Sequence, residues 1–259
     1  GATAETSRAP RQAGQTTYHT ALDARTINLE GAMQIFGGPT APALAAYDRA
    51  RAALHQAFAP HTWGYLIYYK EDEAVQVYCR PIATPTIGDP TVTLSSIDIS
   101  FTTDSPYWES AEEYVVSVGM IQRFWRFPWA PRRAAMGAFN RFGMITNPTC
   151  EVIYPVVEIY STGQHITITN QTTGEFIAIE HAIGEGQKLV VDMVDASAYL
   201  WTLDDSGAYA DPEDVSHWMS LASEPWGLRP GMNSVAITNE VPEDTPISHI
   251  RYRIPRLGV

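Results

Sequence analysis

With 259 residues, 45% of them hydrophobic and 18% charged, the chain can build one large or two modest domains around a substantial core. No window approaches the roughly 18 consecutive apolar residues of a membrane helix, and Gly1-Ala2-Thr3-Ala4-Glu5 has neither the basic nor the apolar segment of a signal peptide. The net charge of −12 is unevenly placed: residues 1–141 carry 12 Lys and Arg against 13 Asp and Glu, whereas 142–259 carry 5 against 16, which argues against general nucleic-acid binding by the whole chain.

Early elements read as strands. Tyr18, Thr20 and Leu22 alternate, Thr26-Ile27-Asn28-Leu29 is a clearer fragment, and Gly37-Gly38-Pro39 breaks the run. Leu44, Tyr47, Ala50, Ala53, Leu54, Ala57 and Phe58 recur at helical spacing, with Thr40 as N-cap, Pro42 in the first turn and Pro60 as terminator. After Pro60 the period becomes two. Gly64 to Tyr69 and Ala74 to Cys79 form a hairpin across Lys70-Glu71-Asp72-Glu73, and 91–103 alternates until Asp104-Ser105-Pro106 stops it. Tyr114 to Met120 is one more strand.

The stretch 121–143 changes character. Phe124, Trp125, Phe127 and Trp129 are interleaved with Arg123, Arg126, Arg132, Arg133 and Arg141, and no acid lies between Glu113 and Glu151. An aromatic linker between two domains, or a basic patch facing an acidic neighbour, fits better than a single-strand nucleic-acid platform, because prolines interrupt it. From Asn147 onward the pattern is all-β: strands at 152–160, 165–169, 175–180, 188–193, 200–203, 235–238 and 250–254. Asp211-Pro212-Glu213-Asp214 carries the chemistry of a short helix start running through Trp218 and Leu221.

Catalytic, metal and cofactor residues are not found; the expectation is none of each, and no enzyme. His19, His55, His61, His165, His181, His217 and His249 show no metal-binding spacing, Cys79 and Cys150 stand 71 positions apart, and no phosphate loop or nucleophile elbow occurs. The pairs Glu112-Glu113 and Asp204-Asp205 read as a strand approach and a hairpin turn. Trp201, Tyr199 and Trp218 are the aromatics that a carbohydrate-binding face would use, and that module is the alternative reading. Arg25, Arg49 and Arg51 are candidates for ion pairs between subunits.

The order of landmarks resembles the distal tail proteins of siphophages. They are Ala24-Arg25-Thr26-Ile27-Asn28-Leu29, the helix 43–58 with Pro60, Gly64-Tyr65-Leu66 and Asp104-Ser105-Pro106-Tyr107-Trp108. In the second half they continue through Asn147-Pro148-Thr149, Tyr154 to Ile159, Ile168 to Gly174, Leu189-Val190-Val191-Asp192 and Trp226 to Asn233. The resemblance implies a mainly β chain: an N-terminal ring-forming belt domain with one α-helix and a linker (1–143), then a galectin-like β-sandwich (144–259) whose last strand returns toward the belt. It further implies a homohexameric ring at the tip of a long non-contractile virion tail, assembled in the host cytoplasm. Such a ring joins the tail tube protein to the tail hub and a receptor-binding protein or fibre, with no membrane insertion.

Overall fold

The computed structural model describes residues 2–7, 16–34, 40–71, 73–88, 94–118, 121–126, 135–139, 142–160, 162–163, 165–204, 206–239 and 247–258, with backbone alone for 2–7, 16–21, 121–126 and 135–139. Among the described residues the fold is mainly β with one α-helix, and the chain divides into two units: Gly1–Ala111 together with Arg256–Val259, and Glu112–Pro255.

In the first unit, β1 (Ala2–Ser7) and β2 (Thr16–Leu22) pair antiparallel. β3 (Thr26–Gln34) leads to α1 (Ala41–Ala57), then to β4 (Gly64–Lys70) and β5 (Glu73–Pro81). β6 (Thr86–Ile87), β7 (Leu94–Thr103) and β8 (Trp108–Ser110) follow. The expected hairpin is present, with Lys70 opposite Glu73 and Glu71 at φ +48° in the tight turn. β3 pairs with β7 over nine residues, Thr26↔Thr102 to Gln34↔Leu94. β7 in turn joins β5 through Cys79↔Thr103.

Alternation on β5 sends Val75, Val77 and Cys79 inward to meet Ile99, Phe101 and Trp108 in one buried cluster. Each such side chain contributes about 1.5–3 kcal/mol by leaving water. Pro42 lies in the first turn of the helix, as expected, but Thr40 makes no side-chain cap bond. Its contact is narrower than the apolar stripe suggests. Tyr47 is the buried residue, half-buried Leu54 and Ala43 help it pack on Ile87, and Leu44 is exposed. Alanines dominate the rest of that stripe, and a methyl group gains little from burial. The Tyr47 hydroxyl meets the Ser95 hydroxyl at 2.8 Å, which satisfies both buried groups.

In the second unit, β9 (Tyr114–Val118) is followed by β10 (Ile121–Arg126) and β11 (Ala135–Phe139), which pair as a two-stranded hairpin where a linker was expected. The arginines and aromatics of that stretch lie outside the described side chains. β12 (Phe142–Asn147), β13 (Val156–Ile159), β14 (Ile166–Asn170), β15 (Phe176–Ile179), β16 (Gln187–Asp192) and β17 (Ser197–Thr202) come next. They are followed by β18 (Glu213–Asp214), β19 (Gly231–Thr238) and β20 (Ser248–Tyr252); β21 (Pro255–Arg256) joins the sheet of the first unit.

Two sheets enclose one core, with strand orders β18-β17-β16-β13-β20-β9 and β12-β19-β14-β15. Val157, Ile159, Leu189, Val191 and Ile250 come from the first, Ile145, Ile166, Ile168, Ile177, Val235 and Ile237 from the second. Gly143 permits the close approach of β12 to β9, since a Cβ there would stand 2.6 Å from Val118 Cγ2. The short helix expected from Asp211 is not formed as such. Glu213 and Asp214 instead pair with Leu200 and Tyr199 as a strand, and a single 3-10 turn, Ser216–Trp218, follows. The sheet edge satisfies backbone groups that an isolated helical turn would leave open.

Candidate functional site

Three constellations stand out, and none was assembled from the sequence alone. The first is an aromatic edge on the first unit. β4 is paired on one side by β5, and among the described residues no strand borders its other side. Its side chains are unusually apolar for such a position: Tyr65, Ile67, Tyr68 and Tyr69 are all exposed, Tyr69 at 74%. On the outward face Trp63 stacks on Tyr78 with ring centres 5.2 Å apart, Tyr65 leans on Tyr78 at 5.0 Å, and the Arg80 guanidinium lies 5.4 Å above Trp63. β3 closes the opposite end of the same sheet, with Asn28, Leu29, Glu30 and Ala32 exposed.

The second constellation occupies the outer face of the six-stranded sheet. Strand pairing sets Glu158 beside His249 on one side and Val190 on the other, and sets Lys188 beside Trp201. Glu158 is only 4% exposed in the middle of that face. Arg251 Nη1 donates to its Oε1 at 2.6 Å, Lys188 Nζ stands 3.6 Å from the same oxygen, and the Tyr160 hydroxyl donates to Oε2. Arg251 also binds Glu113, through Nε at 2.8 Å and Nη2 at 2.7 Å. Alternating charges thereby run from Glu113, just before β9, across three strands through Arg251, Glu158 and Lys188.

Burial alone would raise the Glu158 carboxyl, but the Tyr160 and Arg251 hydrogen bonds and the charges of Arg251 and Lys188 outweigh it and hold it below its ordinary value. Burial, with the Glu158 acceptor and its charge, pushes the Tyr160 phenol up to about 12. The sequence signal was a lone acid inside Val156-Val157-Glu158-Ile159-Tyr160, an apolar strand with no reason to carry a charge unless one is matched.

The third is a clasp of buried asparagines around 226–229. Asn147 Nδ2 donates to Leu228 O at 2.8 Å, Asn170 Nδ2 to Gly227 O at 3.1 Å, and Asn233 Nδ2 to Arg229 O at 2.7 Å. Asn233 Oδ1 accepts from Arg229 N at 2.9 Å. Trp226 is sunk in the core with its Nε1 3.4 Å from Ile168 O, and Leu228 bridges Ile153.

Of the residues singled out in the sequence, Trp201 and Glu113 belong to the second constellation and most others fall elsewhere. Arg25 donates to the Leu257 carbonyl, and Arg49 Nε to Ala45 O at 3.2 Å within its own helix. Arg51 lies beside Asp48 and His55 on an open helix surface. Tyr199 and Trp201 share the outer face of β17, but the Lys188 ammonium lies 5.2 Å over the Trp201 ring. Trp218 is set apart from them, stacked on His181 with ring centres 4.0 Å apart and packed on the core. Asp204 is a turn residue, as expected: its Oδ1 accepts from Ser206 N, Ser206 Oγ and Ala208 N. Asp205 lies outside the described residues. Glu113 serves Arg251, and both cysteines are free thiols, Cys79 buried and Cys150 exposed.

Residues 149–253 match the family profile described as siphovirus-type tail component, C-terminal domain. No curated protein matches the chain. Among solved structures it is similar to SPP1 Dit, a hub protein of the adsorption apparatus of phages infecting Gram-positive hosts, with a TM-score of 0.64 at 12% identity over 99% of this chain and 88% of that one. It is also similar to chains of the phage P2 baseplate in its activated conformation with calcium (TM-score 0.58, 10% identity, 100% and 88% covered) and with strontium (0.52, 9%, 100% and 88%). At these identities the likeness is one of fold. Over residues 149–253 the second unit thus matches the profile of the siphovirus-type tail component C-terminal domain, and the chain along its length shares the fold of SPP1 Dit.

Proposed function

We propose that this chain is a structural subunit of a long, non-contractile phage tail. Six copies close a ring at the distal end of the tail, joining the tail tube to the hub and to the receptor-binding apparatus. The N-terminal part supplies the ring and the C-terminal part a galectin-like sandwich. The work is done by shape and interface; no residue is assigned a catalytic role.

One observation carries the reading: the seven-stranded sheet of the first unit ends in β3 on one side and bears the apolar strand β4 on another, both bordered on one side only among the described residues. A long, apolar, exposed edge is a template for another strand, and proteins that do not use such an edge blunt it with charge or proline. Two different edges on one subunit are what a heterologous, ring-closing contact requires. The family profile over 149–253 and the shared fold of SPP1 Dit and the P2 baseplate chains support the tail assignment.

Electron microscopy of the purified full chain tests it. Rings of sixfold symmetry with an open centre are the expected image; a monomer at all near-native conditions in light scattering overturns the reading.

A further inference from the structure

The Lys188 ammonium has more aromatic company than a surface lysine needs. Its Nζ lies 4.9 Å from the centre of the Tyr209 ring, 5.2 Å from Trp201 and 5.7 Å from Tyr160, with the Glu158 carboxylate 3.6 Å away. A draped lysine covers apolar surface with its methylenes and leaves its head in water. Here three rings and a carboxylate lie around the charged head itself, and the side chain as a whole is 15% exposed. Rings around a cation within about 6 Å are the arrangement that recognises alkylammonium groups.

We propose that Tyr160, Trp201 and Tyr209 form an ammonium-binding cage over Glu158, which Lys188 fills as a tethered plug and which takes an external alkylammonium group when Lys188 swings out. The walls stand without the plug. Trp201 is fixed in the β16–β17 ladder, the Tyr160 hydroxyl is held by Glu158, and Tyr209 is set by its bridge to Leu203 beside the Asp204 turn. The floor stands too, since Arg251 keeps its hold on Glu158.

Glu113, Arg251, Glu158 and Lys188 together sum to zero charge, so withdrawal of Lys188 leaves one negative charge under three rings. An incoming ammonium repeats the contacts that Lys188 gives up, while the released lysine regains water. The exchange is close to even in energy, and the plug wins through its tether, whose effective concentration is on the order of millimolar or above.

The test titrates the full chain with tetramethylammonium chloride against sodium chloride of equal strength, read by calorimetry and tryptophan fluorescence. The wild type binds weakly. Lys188→Ala binds at least about tenfold more tightly, because the tethered competitor is gone. Lys188→Arg keeps a cation in the cage and stays near wild type. Tyr209→Ala added to Lys188→Ala weakens binding again. Lys188→Thr, suited to a strand, replaces the alanine variant if that one does not fold. A folded alanine or threonine variant that binds no more tightly than wild type overturns the proposal. So does an arginine variant as tight as the alanine one, or a Tyr209 change without effect.

Discussion

Asn170 and Gly227, 57 positions apart, are joined by a buried hydrogen bond from Nδ2 to the glycine carbonyl at 3.1 Å, while Asn170 Oδ1 accepts the Thr172 amide at 3.0 Å. One side chain thus shapes the turn after β14 and holds the segment behind Trp226. Asn170→Ala takes this donor from the buried Gly227 carbonyl and leaves the exposed Thr172 amide to water. We expect a loss of about 2–3 kcal/mol for the second unit, seen as a lowered midpoint in thermal or urea unfolding. An unchanged midpoint would refute the clasp.

Gly227 is limited by space and not by backbone strain. A Cβ there would stand 2.2 Å from Val152 Cγ1 and 3.4 Å from the Ile153 carbonyl. Gly227→Ala is expected to cost about 1–3 kcal/mol, as overpacking does. Gly31 on β3 has nothing within 4 Å of such a Cβ, so Gly31→Ala should leave the unfolding midpoint nearly unmoved. The pair of measurements separates steric cost from a general intolerance of substitution.

Glu158 predicts a pH dependence. Its folded value is depressed, so its contribution is fully present above its unfolded value, near 4.5, and is lost as pH falls through the lower folded value. Glu158→Gln removes the charge that Arg251 and Lys188 share, and at pH 7 should destabilise the second unit by about 2 kcal/mol, given the usual worth of charge-assisted hydrogen bonds. The gap between variant and wild type should narrow below pH 4. A gap that stays constant from pH 7 to pH 3 would contradict the ionised role.

The edge strand offers a test of assembly without a test of folding. Ile67 on β4 is exposed, and a lysine there is the kind of charge that blunts free edges. If the proposed ring uses this edge, Ile67→Lys should shift it toward smaller species in analytical ultracentrifugation, with unchanged circular dichroism. Rings that persist at wild-type stability would remove β4 from the interface.

Local patterns were readable and long-range ones were not. The hairpin from Gly64, the strand ending at Thr103 and the helix ending before Pro60 follow from period and punctuation, which act over a few residues. The pairing of β9 with β20, Val118↔Ser248 to Tyr114↔Tyr252, joins segments 130 positions apart, and nothing local specifies it. The clasp hid for the same reason. Asn147, Asn170 and Asn233 look like ordinary turn residues, and only the fold sinks them beside Trp226. Of the aromatics weighed as a sugar-binding face, Trp201 does stand at a built site, but Lys188 lies over its ring. A lysine and a tryptophan on neighbouring strands meet only through register, which spacing along the chain does not reveal.

The stretch Arg256–Val259 belongs to the first unit, where Arg256 pairs with Glu73 and the Leu257 carbonyl takes Arg25. Those contacts can form only after the whole of Glu112–Pro255 has left the ribosome, a wait of roughly seven to thirty seconds at the usual rates of synthesis. Until then Glu73 and Arg25 have no such partners. A nascent copy therefore lacks both contacts until residues 256 and 257 have emerged.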